Sequence, residues 1–573
     1  MKRAAERKAQ ALRRFRIRSA LMLSAFAVAA VGLVGRSVYV VEFKQDKISA
    51  EADKRHLRKI TINPSRGSIV DRNGEPMAVS TPVDSIGAIP KTLAPAIDEF
   101  QPLAEALGGN AEQLMRRVSR NMDKEFVFLA RRLRPSQVEA VNALQLPGID
   151  VRREYKRYYP AGEVAVHLVG MTDIEDIGQE GLEKAFNAVL AGEPGAKRVL
   201  RDRKGHVIEE VESIRPVRHG QTLVSSIDLR LQYFAHRELK RAALAHRARS
   251  GSVVVLDVKT GEVLAMVNWP ATNPNNRAEL KLDEIKNRAV LDNHEPGSAI
   301  KPLIVAAALS TGVAETDAII DTSPGKIQVG AKSIEDKNNL GPINLATILS
   351  RSSNVGMTKV ALRMEPEQMW RVLDRFGFGQ PTGGGFLAES SGLLSHHSYW
   401  RDISKATISY GYGLTVTPLQ LARAYAAIGN DGVLPQISLL AEPPRETGVR
   451  VVDAEVAEAV LGMMEQVVGP GGTARKAAIP GYRVAGKTGT SKKSAAGGYA
   501  DDRYLSVFAG LVPVSEPRFA AVVVLDEPSG DAYYGGDVAA PVFSVVMREA
   551  LRLFAVAPDD SPAISAGAMQ AAR

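Results

Sequence analysis

Ser298 and Lys301 stand three residues apart in the segment Glu295-Pro296-Gly297-Ser298-Ala299-Ile300-Lys301-Pro302. On a helix that spacing puts both side chains on one face, about 5–6 Å apart at Cβ. Pro302 has no N–H and fits only the first turn of a helix, so the spacing predicts a helix that begins at or next to Ser298. A hydroxyl, an amine and the positive end of a helix dipole then meet. That is equipment for acyl transfer through a serine nucleophile with lysine as its base. Ser-x-x-Lys alone more often marks a capped helix with a solvated lysine. Two further short motifs follow in order. Ser352-Ser353-Asn354 lies 54 residues on, between two apolar-periodic segments, and Lys487-Thr488-Gly489-Thr490 follows Val484-Ala485. Each is weak by itself, and the ordered set of three is strong.

Competing chemistries are poorly supported. Gly481-Tyr482-Arg483-Val484-Ala485-Gly486-Lys487-Thr488 matches the phosphate-loop pattern G-x-x-x-x-G-K-[ST] to the letter. A phosphate loop needs a buried strand before its first glycine and a helix after its lysine. Here Pro480 precedes Gly481, Ala474–Ile479 is not a strand run, and Gly489, Gly497 and Gly498 do not open a helix. The chain has no cysteine, no G-x-S-x-G elbow and no H-E-x-x-H pair, which excludes thiol chemistry and cysteine-ligated metals. His294 has no partner at metal-ligand spacing and reads as a structural or rim residue.

Chemistry of this kind needs a scaffold, and 573 residues suffice for two to four domains at roughly 150 each. The formal charge of +9 is concentrated at one end. Residues 1–18 hold eight cations and one acid, a charge of +7 that leaves only +2 for the other 555 residues. No basic footprint for DNA or RNA remains. Ser19 to Val41 is 23 residues, interrupted by Arg36 alone, or about 34 Å as a helix, enough to span a bilayer. Arg36 can snorkel at the far end, and Tyr39 suits an interface. A cleaved signal peptide with Ala25-Phe26-Ala27 at its cleavage site is the alternative, but the apolar run continues well past it. The basic tail sets residues 1–18 in the cytoplasm, 19–41 as the anchor and 42–573 beyond the membrane, which argues against chemistry that needs ATP or NAD.

Residues 42–65 read as a polar connector, and Arg66–Ser80 as a hairpin turning at Asn73-Gly74. Residues 95–145 are helical in period, and Gly178–Phe186 is a turn into a helix. A charged, glycine-punctuated stretch over 195–220 places a boundary near 220. Beyond it, Leu223–Ile227, Ser252–Asp257, Val263–Asn268, 505–512 and 518–526 read as strands. Residues 228–245, 300–310, 342–363, 366–376, 418–429, 455–468 and 540–554 read as helices. Strands at both ends of a helical middle predict an α/β (α+β) domain, a mostly antiparallel sheet sandwiched by helices. The expected division is a tail at 1–18, an anchor at 19–41, a mixed α/β domain at 42–220, the chemistry-bearing domain at 221–555 and a disordered tail at 556–573.

With these motifs in order, the chain resembles a class B penicillin-binding protein, a membrane-anchored peptidoglycan D,D-transpeptidase, over roughly residues 15–555. Arg66–Gly74, Tyr158-Tyr159-Pro160, His167–Gly170 and Gly181-Leu182-Glu183 with Phe186 resemble the motifs of that family's non-catalytic pedestal. Asn287-Arg288-Ala289, Tyr410-Gly411-Tyr412-Gly413, Thr417–Gln420, Gly472-Thr473-Ala474 and Tyr534–Phe543 fit its transpeptidase domain. The short pedestal and the Arg36-bearing anchor look most like the division-specific (FtsI-type) branch. The alternatives are an elongation-specific class B enzyme or a β-lactam sensor or scaffold.

The resemblance implies roles. Ser298 would attack the penultimate D-Ala carbonyl of a D-Ala-D-Ala stem peptide, and Lys301 would take its proton. Free lysine, near pKa 10.4, is a poor base, so burial and a nearby cation, Lys487, must depress it. Ser352 would pass the proton to the leaving D-Ala, and Asn354 would hold the substrate amide. The backbone N–H groups of Ser298 and Thr490 would form the oxyanion hole. Lys487, Thr488, Gly489 and Thr490 would engage the terminal carboxylate and the strand edge. No metal and no organic cofactor is implied. No extra carboxylate is placed for water attack, so β-lactam adducts should be long-lived. The implied partners are a lipid-linked glycan polymerase (FtsW-like) and other divisome proteins, at the septal membrane.

Overall fold

A computed structural model describes residues 2–43, 57–201, 207–386, 388–441, 448–495 and 498–560. Helix α1 (Lys2–Phe43) runs unbroken through the basic tail and the apolar run. It is the one helix among the described residues long and apolar enough to cross a membrane, and its most apolar 18-residue stretch has a mean hydropathy of 2.0. Most of the expected connector, residues 44–56, lies outside the described residues.

The chain divides into two compact units. The first comprises Met1–Pro64, Val83–Glu154 and Glu193–Arg218. In it Leu57–Ile62, Gly195–Arg201 and Val207–Arg215 form a three-stranded antiparallel sheet, so strands occupy the end of the connector and much of the charged 195–220 stretch. The helical reading of 95–145 is half right. Phe100–Leu107, Ala111–Ser119 and Pro135–Ala143 are helices, but Val127–Leu133 is a strand that pairs with residues 84–88. Its apolar residues fit a strand as well as a helix, and tertiary pairing decides between them.

The second unit, Ser65–Pro82, Tyr155–Gly192 and His219–Arg573, holds all three motifs. Its hairpin at residues 66–80 is present, with Ile69 and Val70 paired to Ala78 and Pro76. Its centre is a five-stranded antiparallel sheet of β1 (Ser250–Asp257), β2 (Val263–Trp269), β3 (Ala485–Ala495), β4 (Gly498–Val512) and β5 (Phe519–Asp526), in spatial order β2-β1-β5-β4-β3. Every residue of β1 and β5 is buried, as expected of central strands covered on both faces. Helix α2 (Leu229–Ala245) starts at Asp228, whose carboxylate caps the Arg230 and Leu231 N–H groups. Helix α3 (Lys301–Ser310) is buried from Lys301 through Ala308.

The expected helix over 342–363 is two: α4 (Leu345–Arg351) and α5 (Asn354–Arg363), preceded by a short strand at Pro342–Asn344. Ser352 breaks them apart with a left-handed backbone, φ +57°. Helices α6 (Pro418–Gly429), α7 (Ala454–Val468) and α8 (Gly535–Leu553) complete the layers. Alternation along β4 separates two faces: Phe508 packs on Phe543 of α8, whereas Leu511 packs beside Gly429 of α6. At the C-terminal end the expected tail begins too early. Residues 556–560 bind the domain: Tyr482 OH donates to Val556 O, and Asp559 accepts from the Arg483 and Ser515 N–H groups. Residues 561–573 lie outside the described residues.

Candidate active site

Ser298 lies in a 3-10 turn, Gly297–Ile300, that runs directly into α3, with Pro302 in the first α-helical turn. The turn is held from several sides. Gly297 N–H donates to Gly411 O at 3.2 Å, and Tyr425 OH, fully buried, donates to Ala299 O at 2.7 Å. Gly411 permits that approach, since a Cβ there would sit 2.0 Å from Gly297 O. Gly489 of β3 does the same on the other flank, where a Cβ would meet Pro296 O at 2.5 Å. The Ser298 turn is thus pressed against the edge strand of the sheet. Ser298 is half-buried and opens on a cleft of about 730 Å³.

Beneath it Lys301 is completely buried. Its Nζ donates to Ser352 O (2.7 Å), Ser353 O (3.1 Å), Asn354 Oδ1 (2.8 Å) and Ser352 Oγ (3.3 Å). Lys487, also completely buried, approaches from β3 and donates to the same Ser352 Oγ at 3.0 Å and to Thr488 O at 3.2 Å. Two lysines therefore converge on one hydroxyl. The left-handed turn at Ser352 makes this possible, because it points the hydroxyl and two backbone carbonyls into the cleft floor. Burial holds Lys301 well below the ordinary lysine pKa; Lys487 adds to the depression, and Asp336 opposes it. Burial likewise brings Lys487 down to about 7.

Thr488, Gly489 and Thr490 follow along β3, an edge strand whose far side faces the cleft. Thr488 Oγ1 lies 3.1 Å from Thr473 Oγ1, and Thr490 Oγ1 accepts from Gly535 N–H at 3.0 Å. The residues singled out in the three motifs thus meet around one cleft. The phosphate-loop match is excluded by the same geometry, since Lys487 and Thr488 lie inside a strand and a 3-10 turn at Arg475–Ala477 precedes it. His294 exchanges both backbone hydrogen bonds with Val416, at 2.9 and 2.8 Å. Among the described residues no group of three or more His, Asp or Glu side chains could hold a metal ion.

Asp336 is the residue that sequence reasoning missed. Its carboxylate accepts from Ser353 Oγ, from Asn354 N–H (2.5 Å) and from Val355 N–H (3.1 Å). It fixes the start of α5 and with it Asn354. No motif marks it: it lies 16 residues before Ser352 in a run of short strands and turns, and only the fold brings it to the cleft.

Comparisons with known proteins agree with this geometry. The penicillin-binding protein transpeptidase domain family matches residues 251–548, and the penicillin-binding protein dimerisation domain matches 61–225. The peptidoglycan D,D-transpeptidase FtsI of Escherichia coli K12 is 42% identical over 547 residues, covering 95% of this chain and 92% of that protein. The structure of penicillin-binding protein 3 from Mycobacterium tuberculosis, complexed with aztreonam, superposes with a TM-score of 0.68 at 28% identity over 87% of this chain and 98% of that one. The transpeptidase domain of Burkholderia pseudomallei penicillin-binding protein 3 is 38% identical, with a TM-score of 0.54, over 59% of this chain and 98% of that one. A serine at a helix start above two buried lysines, on a chain that these relatives match nearly end to end, belongs to the class B penicillin-binding proteins, the peptidoglycan D,D-transpeptidases of the FtsI type.

Proposed function

We propose that this chain cross-links septal peptidoglycan, with Ser298 as nucleophile and Lys301 as its base. The observation that carries the proposal is the convergence of Lys301 and Lys487 on the Ser352 hydroxyl at the floor of the cleft on which Ser298 opens. Ser298 Oγ bonds to the carbonyl carbon of the penultimate D-Ala while its proton passes to Lys301 Nζ. The peptide C–N bond breaks, and the terminal D-Ala leaves with a proton delivered through Ser352. An amine of a neighbouring stem then attacks the ester, forms the new amide and gives up a proton as the Ser298 hydroxyl is restored. Asn354 holds the substrate amide, and the Ser298 and Thr490 N–H groups receive the developing oxyanion, a contribution of about 3–4 kcal/mol per donor. Lys487, Thr488, Gly489 and Thr490 engage the terminal carboxylate.

β-Lactams acylate the same serine and leave slowly. Both acidic side chains on the cleft are engaged elsewhere, Asp336 in capping α5 and Asp537 with Lys476, so neither is free to activate water. In this reading residues 42–220 are the pedestal and 221–555 the catalytic domain, supported by family matches over 61–225 and 251–548. Residues 1–18 are cytoplasmic and α1 spans the inner membrane once, as its basic end favours. The catalytic domain works outside that membrane, at the septum, beside an FtsW-like glycan polymerase and other divisome proteins. The test is covalent labelling of the full chain in detergent with fluorescent penicillin. One adduct, stable over an hour and absent from Ser298→Ala, is expected. No adduct on folded protein, or one that forms and quickly vanishes, overturns the proposal.

A further inference from the structure

The cleft carries more positive charge than its motifs require. Besides the two buried lysines, Lys337, Arg351 and Arg475 line it and all three are exposed. Among the described residues the Arg351 side chain makes one hydrogen bond, from Nη1 to the backbone carbonyl of Gly471 at 2.9 Å. Lys337 and Arg475 have no ion-pair partner among the described residues. The acids that line the cleft balance them only in part: Asp537 pairs with Lys476 at 2.7 Å, and the Asp336 carboxylate, whose three hydrogen-bond donors at the start of α5 are uncharged, offsets one of the three, leaving an excess of two positive charges. These cations stand on opposite walls, Lys337 and Arg351 on the side of α4 and α5 and Arg475 on the loop before β3, with Arg351 reaching across to that loop.

An excess of two cations spread over both walls of the cleft selects for anions. One carboxylate, at the end of the D-Ala-D-Ala unit, is already met by Lys487 and the threonines of β3 in the reading above. We propose that Lys337, Arg351 and Arg475 form a subsite for a second carboxylate of the stem peptide, and that the enzyme therefore prefers stems that keep one. This rests on the transpeptidase reading. Two stem positions can supply the group: the α-carboxylate of a γ-linked D-Glu at the second position, and the side-chain carboxylate of a diaminopimelate at the third. A guanidinium fork or an ammonium can bind either.

The experiment measures how strongly soluble peptides slow fluorescent-penicillin labelling of the full chain in detergent. Four peptides are compared, all ending in D-Ala-D-Ala. One is a pentapeptide with free D-Glu and meso-diaminopimelate. The second is its D-Glu-amidated form, and the third carries L-Lys in place of diaminopimelate. The reference is Nα,Nε-diacetyl-L-Lys-D-Ala-D-Ala, with no second carboxylate. The diacid pentapeptide is expected to protect the parent about tenfold better than the reference, a ratio typical of one charge-assisted contact. The ratio should collapse in Lys337→Gln/Arg475→Gln and fall below one in Arg475→Glu. Weaker protection by the amidated peptide assigns the second position, and weaker protection by the lysine peptide assigns the third. Equal protection by all four peptides, or a ratio that survives in both variants, overturns the subsite. An absence of penicillin labelling in the parent instead overturns the transpeptidase reading itself, so the two failures are distinguishable.

Discussion

Removing Asp336 should damage acylation while making Lys301 easier to deprotonate. Its carboxylate accepts three hydrogen bonds, from Ser353 Oγ, Asn354 N–H and Val355 N–H. Bonds to a charged group contribute about 1.5–3 kcal/mol each and neutral ones about 0.5–1.5. In Asp336→Asn the amide oxygen can keep both backbone N–H groups, and its NH2 can donate to Ser353 Oγ. All three bonds then survive without the charge, a loss of about 1–1.5 kcal/mol each in a dry site and about 2–3 kcal/mol in total on a half-buried wall that water reaches. Asp336→Ala loses all three on a half-buried wall that water reaches, about 3–5 kcal/mol. At 1.36 kcal/mol per factor of ten, acylation by penicillin should slow about 30- to 150-fold in Asn and roughly 150- to 5,000-fold in Ala. The pH profile separates this from general damage. Lys301 is held low first by burial and then by Lys487, and Asp336 opposes both. Without the Asp336 charge the Lys301 pKa falls further. With Lys301 as the proposed base the neutral amine is the reactive form, so the acid limb of acylation should move to lower pH even as the plateau drops. Stopped-flow acylation across pH, beside a melting curve, measures both. An Ala variant that acylates at the parent rate, or an acid limb that moves to higher pH, refutes the reasoning.

Lys487→Met should move the same limb the other way: with the neighbouring cation gone the Lys301 pKa rises and acylation is lost at a higher pH, again read from the acylation profile. Gly489→Ala should slow acylation about 100-fold with folding intact, since its Cβ would meet Pro296 O at 2.5 Å and push the nucleophile turn off the strand. Normal labelling of that variant would contradict the packing described. Tyr425→Phe leaves the buried Ala299 carbonyl without its 2.7 Å donor and should cost about 1–3 kcal/mol of stability in thermal denaturation.

Much of this site was legible in residue order, for a physical reason. Pro302 can occupy only a first turn, so it located the start of α3 and placed Ser298 at its mouth. The pairing of Lys301 with Lys487 followed from the demand that a basic lysine be depressed. What could not be read is what depends on chain reversal. The apolar period over 342–363 continues through Ser352, and only the left-handed residue between α4 and α5 shows that the helix stops there. Asp336 lacks any periodic or motif signal because its partners lie 17 to 19 residues away. Val127–Leu133 carries apolar residues that suit either period, and its partner strand, residues 84–88, is about 40 positions earlier. Residues 556–560 looked like a solvated tail by composition, yet Asp559 ties two backbone N–H groups.

The surroundings of Lys301 have a consequence in proton count. Four acceptors lie within 3.3 Å of its Nζ: two backbone carbonyls, the Asn354 amide oxygen and the Ser352 hydroxyl. An ammonium has three protons to give them. A neutral amine has two and a lone pair that repels any acceptor facing it. The surroundings of the amine are therefore saturated with acceptors for the protonated lysine and oversupplied for the free base. The backbone carbonyls cannot turn away, but the Asn354 amide can be claimed by a substrate's N–H. In the proposed mechanism, a stem peptide that engages Asn354 would lower the count around the amine and free its lone pair for the Ser298 proton. Occupancy of the cleft and readiness of the base are then linked by valence, and a ligand too short to reach Asn354 would bind without switching the lysine on.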